Sequence, residues 1–334
     1  MLGAEMREIV LAARPVGWPK ESDFGIREVE LPKIAQGEVL VRVDWLSVDP
    51  YMRGRMNDQK SYVPPFALDS PLAGGAVGTV VETTVESLPE GAVVTGSFGW
   101  REFDAVSAKS VMRIEDDSTP PEYYLGVLGM PGMTAYHGLL NVGNAREGEV
   151  VYVSAAAGAV GSIVGQIARI KGCRTIGSAG GPEKVSRLAE LGFDVGVDYR
   201  SGVLRETLAA AAPAGINVYF DNVGGDHLEA ALWNMADFGR IVMCGAISLY
   251  NAAQPEPGPK NLVLAVQRRL RLQGFIVSDH FSEMGQCISD MKSWVRDGKI
   301  SLDQTVVNGL ESAPGALVGL MKGQNLGKML VKVS

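Results

Sequence analysis

Glu149-Val150-Val151-Tyr152-Val153-Ser154, then Ala155-Ala156-Ala157-Gly158-Ala159-Val160-Gly161, then Ser162 through Ile170 run consecutively near the middle of the chain. A β-branched run breaks into small residues and resumes with apolar residues at helical spacing. The pattern reads as strand, tight turn and helix, the opening unit of a dinucleotide-binding fold. Nearly half of the 334 residues come before it, so a different domain is built first.

Downstream the same rhythm repeats. Arg174 to Ser178 reads as a second strand. Pro182 then stands at the first position of a helix, where its missing N–H costs nothing, and Gly192 closes that helix. Val195 to Asp198 is a third strand, Ile216 to Asp221 a fourth, Arg240 to Cys244 a fifth, and Leu270 to Val277 a sixth. Helices are predicted over Val203 to Ala211 and His227 to Met235. Six strands with crossover helices describe an α/β, doubly wound parallel sheet. A helix from Met284 to Asp297, a strand at Thr305 to Val307 and a last strand at Lys328 to Val333 follow. Upstream, Glu38 to Val43 alternates. Gly74 to Val81, Ala92 to Val94 and Phe103 to Val106 are short strands split by Gly, Pro and Asp. The reading is a β-rich domain over residues 1–125, completed by 298–334, and a nucleotide domain over 126–297. The Pro- and Gly-rich loop from Asn251 to Pro259 is expected to act as a cover.

The composition bounds the function. Hydrophobic residues make up 46% of the chain, enough for two cores, and the net charge of −7 disfavours a nucleic-acid surface. Arg268-Arg269-Leu270-Arg271 reads as a solvated helix end. Cys173, Cys244 and Cys287 are an odd, widely spaced set, which suggests free thiols in a reducing compartment. No apolar run reaches membrane-spanning length and the N-terminus lacks a signal-peptide pattern. The expectation is a cytoplasmic protein.

Ala156, Gly158 and Gly161 occupy the G-x-G-x-x-G positions, with Ala in the first. An NAD-selective site places Asp or Glu at the end of the second strand, against the ribose 2′-hydroxyl. Here Gly177-Ser178-Ala179-Gly180-Gly181 carries none before Glu183, and Lys184 follows. A missing carboxylate beside a cation suits a 2′-phosphate, so the cofactor reads as NADPH. The reaction end of such a sheet lies outside the carboxyl ends of its strands, where strand order reverses. That singles out Asp221-Asn222-Val223-Gly224-Gly225 and Cys244-Gly245-Ala246-Ile247-Ser248-Leu249-Tyr250. A catalytic zinc draws three ligands from Cys, His and carboxylate. The first 125 residues hold no Cys and no His, and no Cys-x-x-Cys occurs, so neither a catalytic nor a structural zinc is expected. Reduction of a carbon–carbon double bond needs a Lewis acid less than alcohol–carbonyl interconversion does, because hydroxyl donors can hold the enolate.

From Met6 onward the chain resembles the zinc-independent medium-chain dehydrogenase/reductases of the leukotriene B4 dehydrogenase type. That group includes prostaglandin reductases, 2-alkenal double-bond reductases and curcumin reductases. The resemblance rests on Val48-Asp49-Pro50-Tyr51-Met52-Arg53-Gly54-Arg55-Met56, Met130-Pro131-Gly132-Met133-Thr134-Ala135-Tyr136 and the Ala155 to Gly161 turn. It rests also on Phe220 to Gly225, Cys244 to Ser248 and Gly323-Gln324-Asn325-Leu326-Gly327-Lys328. It implies a GroES-like β-rich domain, a Rossmann domain, NADPH and a homodimer, and it suggests that Met1 to Glu5 are an extension or a start-site choice.

The resemblance also implies site residues. Gly158, Ala159, Val160 and Gly161 would meet the pyrophosphate, and Lys184 and Tyr199 the adenosine phosphate. Asn222 and Cys244, Gly245, Ala246, Ile247, Ser248 and Tyr250 would border the nicotinamide ribose. Phe275, Ile276 and Val277 would lie against the nicotinamide, and Asn325 would close over the cofactor. Tyr51 and Tyr250 match tyrosines that line the substrate cleft and are the expected catalytic hydroxyls. The expected activity is NADPH-dependent reduction of α,β-unsaturated ketones and aldehydes. A quinone oxidoreductase and a non-catalytic NADPH-binding protein stand as alternatives, and the proton donor to the α-carbon is unassigned.

Overall fold

The computed structural model describes residues 5–116 and 118–334. The expected extension or start-site segment, Met1 to Glu5, therefore lies outside the described residues except for Glu5. The chain forms two compact units. One runs up to Gly126 and resumes over Gln304–Ser334; the other is Val127–Asp303.

The first unit is built from β1 (Glu5–Leu11), β2 (Phe24–Glu30), β3 (Glu38–Ser47), the short helix α1 (Tyr51–Arg55), β4 (Ala73–Thr83), β5 (Val93–Gly99), β6 (Phe103–Ser107) and β7 (Met112–Arg113). β1 and β2 pair antiparallel as a separate ribbon. β3, β4, β5 and β7 pair in succession, antiparallel throughout, and β6 adds to β3. Val39, Val41 and Val43 of β3 are fully buried, as the alternation predicted, and Leu40 between them is buried too.

The second unit opens with α2 (Met130–His137), which continues as a π-helical turn over Gly138–Val142. There follow β8 (Val150–Val153), α3 (Ala159–Ile170), β9 (Arg174–Ala179), α4 (Pro182–Glu190), β10 (Val195–Asp198), α5 (Leu204–Ala211), β11 (Ile216–Asp221), α6 (Gly225–Asn234), β12 (Met235–Met243), α7 (Leu264–Gln267), β13 (Arg271–Gly274) and α8 (Met284–Arg296). The sheet order is β10-β9-β8-β11-β12-β13 and every pairing is parallel. This is the doubly wound order 3-2-1-4-5-6, with its reversal between β8 and β11. Val151, Tyr152 and Val153 are buried on both faces of the sheet, as parallel strands covered by helices on either side must be.

The chain then returns to the first unit as β14 (Gln304–Asn308), α9 (Ala313–Met321) and β15 (Lys328–Lys332). β15 joins β14 in parallel and β3 antiparallel, which closes that sheet with the last residues of the chain.

Two expectations need correction. The sixth strand ends at Gly274, because from Val277 to Glu283 the chain coils into 3-10 turns. β12 starts at Met235, five residues before the expected Arg240. The Arg268–Arg271 cluster follows the end of α7 with Arg269 and Arg271 exposed, while the Arg268 guanidinium donates to the carbonyls of Met235 and Trp233 and Arg271 donates to that of Val142.

Candidate active site

β8 delivers the chain into the turn at Ser154. Ala155 takes a left-handed φ of 49°, the Ala156 N–H donates to Ser178 O at 2.9 Å, and Gly158 caps α3 in extended conformation. A Cβ on Gly161 would stand 2.4 Å from Ala155 O and 2.9 Å from Ala156 Cα. Only glycine lets α3 start this close to the strand. Ala156 fills the first motif position because Gly177 opposite lacks a side chain; a Cβ there would meet the Ala156 methyl at 2.8 Å. The N–H groups of Ala159, Val160 and Gly161 open a 12-residue helix, and first-turn N–H groups have no intrahelical partner and face the positive end of the helix dipole. The residues present fit a diphosphate.

The second strand ends in a basic corner. Asp198 Oδ1 accepts from the N–H groups of Gly181 and Arg200, both at 3.0 Å. These bonds hold its carboxyl below the usual range and fix the backbone from which Tyr199 and Arg200 project. A Cβ on Gly180 would lie 2.8 Å from Arg200 Nε and 3.0 Å from the Tyr199 hydroxyl oxygen. Lys184 is half-buried in the first turn of α4. Burial, and then the charge of Arg200, push its ammonium down, with Glu183 opposing. A phosphate dianion is the group that two neighbouring cations of this kind compensate.

Arg200 was not among the sequence expectations; its position at the carboxyl end of the third strand is the signal that could have found it. His227, buried in the first turn of α6, sets its ring edge-on to Tyr199 at 4.9 Å. Its Nε2 lacks a hydrogen-bond partner among the described residues. Burial pushes its pKa down to about 4, so the ring is neutral at physiological pH.

At the sheet's reversal point, β8 and β11 are cross-linked by polar groups. Asp221 Oδ1 accepts from the Tyr219 hydroxyl at 2.7 Å, from the N–H groups of Gly224 and Val223 at 2.8 and 2.9 Å, and from Ser154 Oγ at 3.3 Å. Burial pushes this carboxyl up, and those donors oppose the shift. Asn222 donates from its backbone to Ser154 Oγ at 3.0 Å and from Nδ2 to Ser154 O at 2.8 Å.

The loop after β12 zips onto this one. Cys244 N and Gly245 N donate to Asp221 O, Ile247 N to Asn222 O, and Ser248 N to Val223 O, while Ser248 Oγ donates to Val223 O at 2.6 Å. Tyr250 folds back over its own loop. Its hydroxyl oxygen accepts from Ala246 N at 3.3 Å and sits 3.1 Å from where a Gly245 Cβ would be. A phenol that accepts one N–H can also donate its own proton. Burial pushes the Cys244 thiol up to about 12, so it is a neutral thiol and no nucleophile.

The remaining expected residues stand as follows. Phe275 packs beside Gly138, where an added Cβ would meet its ring at 2.8 Å. Ile276 and Val277 lead into the 3-10 turns and are half-buried. In the other unit, Tyr51 opens α1. Burial, and then the charge of Asp49, push its hydroxyl well above the ordinary phenol range, which leaves it a donor. Asp49 is itself buried and anchored by Lys328 Nζ at 3.1 Å, and that ammonium also donates to Val48 O at 2.8 Å. Asn325 is buried just before β15, with Nδ2 donating to Gly327 O at 2.7 Å.

Two family descriptions match the chain: "N-terminal domain of oxidoreductase" over residues 7–114 and "Zinc-binding dehydrogenase" over residues 159–293. The NADPH-dependent curcumin reductase of Escherichia coli (strain K12) is 42% identical, covering 98% of this chain and 97% of its own. The NADP(+)-dependent 2-alkenal reductase of Nicotiana tabacum is also 42% identical, over 98% and 97%. Among solved structures, CurA from Vibrio vulnificus in complex with NADPH superposes with a TM-score of 0.94 at 42% identity, covering 98% of this chain and 99% of that one.

Proposed function

This chain belongs to the zinc-independent medium-chain dehydrogenase/reductase family, and from that membership we propose that it reduces the carbon–carbon double bond of α,β-unsaturated ketones and aldehydes with NADPH. The observation that carries the reading is the pair of zipped loops at the reversal point of the sheet. They bring a tyrosine hydroxyl to the carboxyl ends of β11 and β12, and the Asp221 carboxylate beneath them is buried and committed to internal donors.

In this reading the Ala159, Val160 and Gly161 N–H groups, with Gly158, hold the diphosphate. Lys184, Arg200 and Tyr199 hold the 2′-phosphate. Asn222 and the Cys244–Tyr250 loop border the nicotinamide ribose, and Phe275, Ile276 and Val277 border the ring. Bound there, NADPH would supply a hydride for the β-carbon of the substrate, and a proton from solvent or a tyrosine would complete the saturated product at the α-carbon. Tyr250 donates a hydrogen bond to the carbonyl oxygen as negative charge builds on it, a contact worth on the order of 3–4 kcal/mol in comparable sites. Tyr51, in the first unit, is kept protonated by its surroundings and so remains a hydroxyl donor.

The protein acts as a homodimer in a reducing, cytoplasmic setting. The free thiols of Cys173, Cys244 and Cys287 support the second point. The outer edge of β13 supports the first, since it has a strand neighbour on one side only.

A panel of enals, enones and quinones, each with NADPH and NADH, tests the reading. The expected result is faster oxidation of NADPH with enones and a saturated carbonyl product. Tyr250→Phe lowers kcat by on the order of 100- to 1000-fold and leaves the Kd for NADPH within about twofold. An allylic alcohol as product, turnover of quinones alone, or NADPH binding without any turnover would overturn the proposal. Undiminished kcat in Tyr250→Phe would remove that tyrosine from it.

A further inference from the structure

The end of β10 and the start of α6 meet around one aromatic pair. Tyr199 directly follows β10, and its backbone is pinned. Its N–H donates to Ala179 O at 3.3 Å, and Asp198 before it accepts from the N–H groups of Gly181 and Arg200. The residue is 38% exposed, so backbone anchors alone leave its side chain a choice of rotamers. Two side chains narrow that choice. The Arg200 guanidinium lies over the phenol ring, 5.7 Å from its centroid. His227, in the first turn of α6, meets the ring at 4.9 Å with the two planes 68° apart.

His227 is a costly residue to bury. It is 7% exposed, and its Nε2 has no hydrogen-bond partner among the described residues. An unpaired buried nitrogen loses stability that an apolar side chain of similar bulk would keep. What the imidazole supplies is a flat edge. Burial keeps the ring neutral against the opposing charge of Asp226. The edge of a neutral ring carries C–H and N–H groups of positive character, which suit the negative face of a phenol. Tyr199 is thereby held toward Gly180, whose missing side chain leaves the room. A Cβ there would stand 3.0 Å from the Tyr199 hydroxyl oxygen and 2.8 Å from Arg200 Nε. Lys184 feels the same cation: after burial, the charge of Arg200 is the next cause that pushes its ammonium down.

We propose that His227 is a positioning residue for the choice of NADPH over NADH. Its ring fixes the Tyr199 side chain in the rotamer that sets the hydroxyl beside Arg200 and Lys184, around the 2′-phosphate. The inference rests on the assignment of that corner to the 2′-phosphate. His227 itself does not touch the phosphate; it acts through Tyr199. A phenol already held in its binding rotamer has no ordering cost left when the cofactor arrives. NADH carries no 2′-phosphate and gains nothing from the arrangement, so the effect of His227 falls on one cofactor only. A ring that merely filled the base of α6 would change Tm and leave the preference between the cofactors alone.

Fluorescence titration of the full-length protein with NADPH and with NADH tests this. His227→Ala should weaken NADPH roughly 3- to 10-fold, the worth of an edge-to-face aromatic contact, and leave NADH within about twofold. His227→Leu, which fills the space without a flat edge, should behave in the same way and guards against a failure of the alanine variant to fold. His227→Phe, which keeps the edge and drops the unpaired nitrogen, should restore the preference for NADPH. Tyr199→Phe removes the hydroxyl, and adding His227→Ala to it should cost NADPH nothing more, since the two residues act as one. Equal losses for the two cofactors in His227→Ala, or additive losses in the double variant, would overturn the proposal. Lys184→Ala separates it from the assignment beneath it. NADPH weakened by Lys184→Ala but not by His227→Ala or His227→Leu refutes the role of His227 alone; NADPH unaffected by Lys184→Ala refutes the phosphate corner and the role of His227 with it.

Discussion

Lys184 and Arg200 sit in each other's field at the end of β9, and their assignment rests on a phosphate that relieves that repulsion. Lys184 was legible in the sequence because an acid is missing where an NAD site places one. Arg200 had only its place at the carboxyl end of a predicted strand to announce it, and that place gains meaning once β10 lies beside β9. Lys184→Ala should weaken NADPH roughly 10- to 150-fold, the worth of a charge-assisted hydrogen bond, and leave NADH nearly unchanged. Fluorescence titration with both cofactors measures this; an equal loss for the two would exclude a 2′-phosphate contact.

His227 stands at the start of a predicted helix, and nothing in its neighbours along the chain foretells its burial against Tyr199. With a folded pKa of about 4 against 6.5 for the free side chain, the unfolded chain takes up the proton first. Stability is unaffected above pH 6.5 and falls as pH drops from 6.5 through 4, by up to about 3 kcal/mol. Denaturant unfolding at stepped pH values should show that slope, and His227→Gln should flatten it. An identical slope in the variant would assign it to the carboxylates instead.

Among the elements, the β8–turn–α3 unit was legible because each part has its own period: a buried β-branched run, then small residues, then apolar positions at helical spacing. Elements without a period were not. α9, Ala313–Met321, is buried on nearly every face and carries no charge, so it shows no amphipathic stripe. The early start of β12 hides behind an irregularity. Its register with β11 jumps between Ile216↔Met235 and Val218↔Arg240, and Phe238 within it takes a left-handed φ of 60°.

The turn carries a prediction of its own. In Gly161→Ala the new methyl would overlap Ala155 O and the Ala156 backbone, atoms that cannot swing aside like a side-chain tip. The turn must open. Overpacking of this kind costs about 1–3 kcal/mol, and it moves the α3 N–H groups away from their anion. Denaturant unfolding should show that loss together with much weaker NADPH binding. Wild-type affinity in a folded Gly161→Ala protein would mean that the diphosphate sits elsewhere.

At the scale of the whole molecule, the six-stranded sheet has an edge that the sequence could not reveal, because edge position follows from strand order and not from any one strand's residues. Among the described residues β13 has no strand on its outer side, and exposed edges of that kind recruit further strands. The segment leading into it exposes Leu262 at 50%, Val263 at 60% and Val266 at 77%, and Phe281 beyond it at 49%. Apolar side chains grouped in that way beside an open edge are expected where another surface covers them. A two-fold axis beside β13 would let the strand meet its own copy antiparallel, extend the sheet across both chains and bury these residues on each.

The protein should therefore sediment at twice 35.5 kDa. Val266→Glu, which places a charge in the apolar group without touching the sheet, should shift it toward the single-chain mass and lower the Tm in a concentration-dependent way. A wild type that sediments as one chain at every concentration would refute the dimer. A Val266→Glu protein that stays paired would move the interface away from this edge.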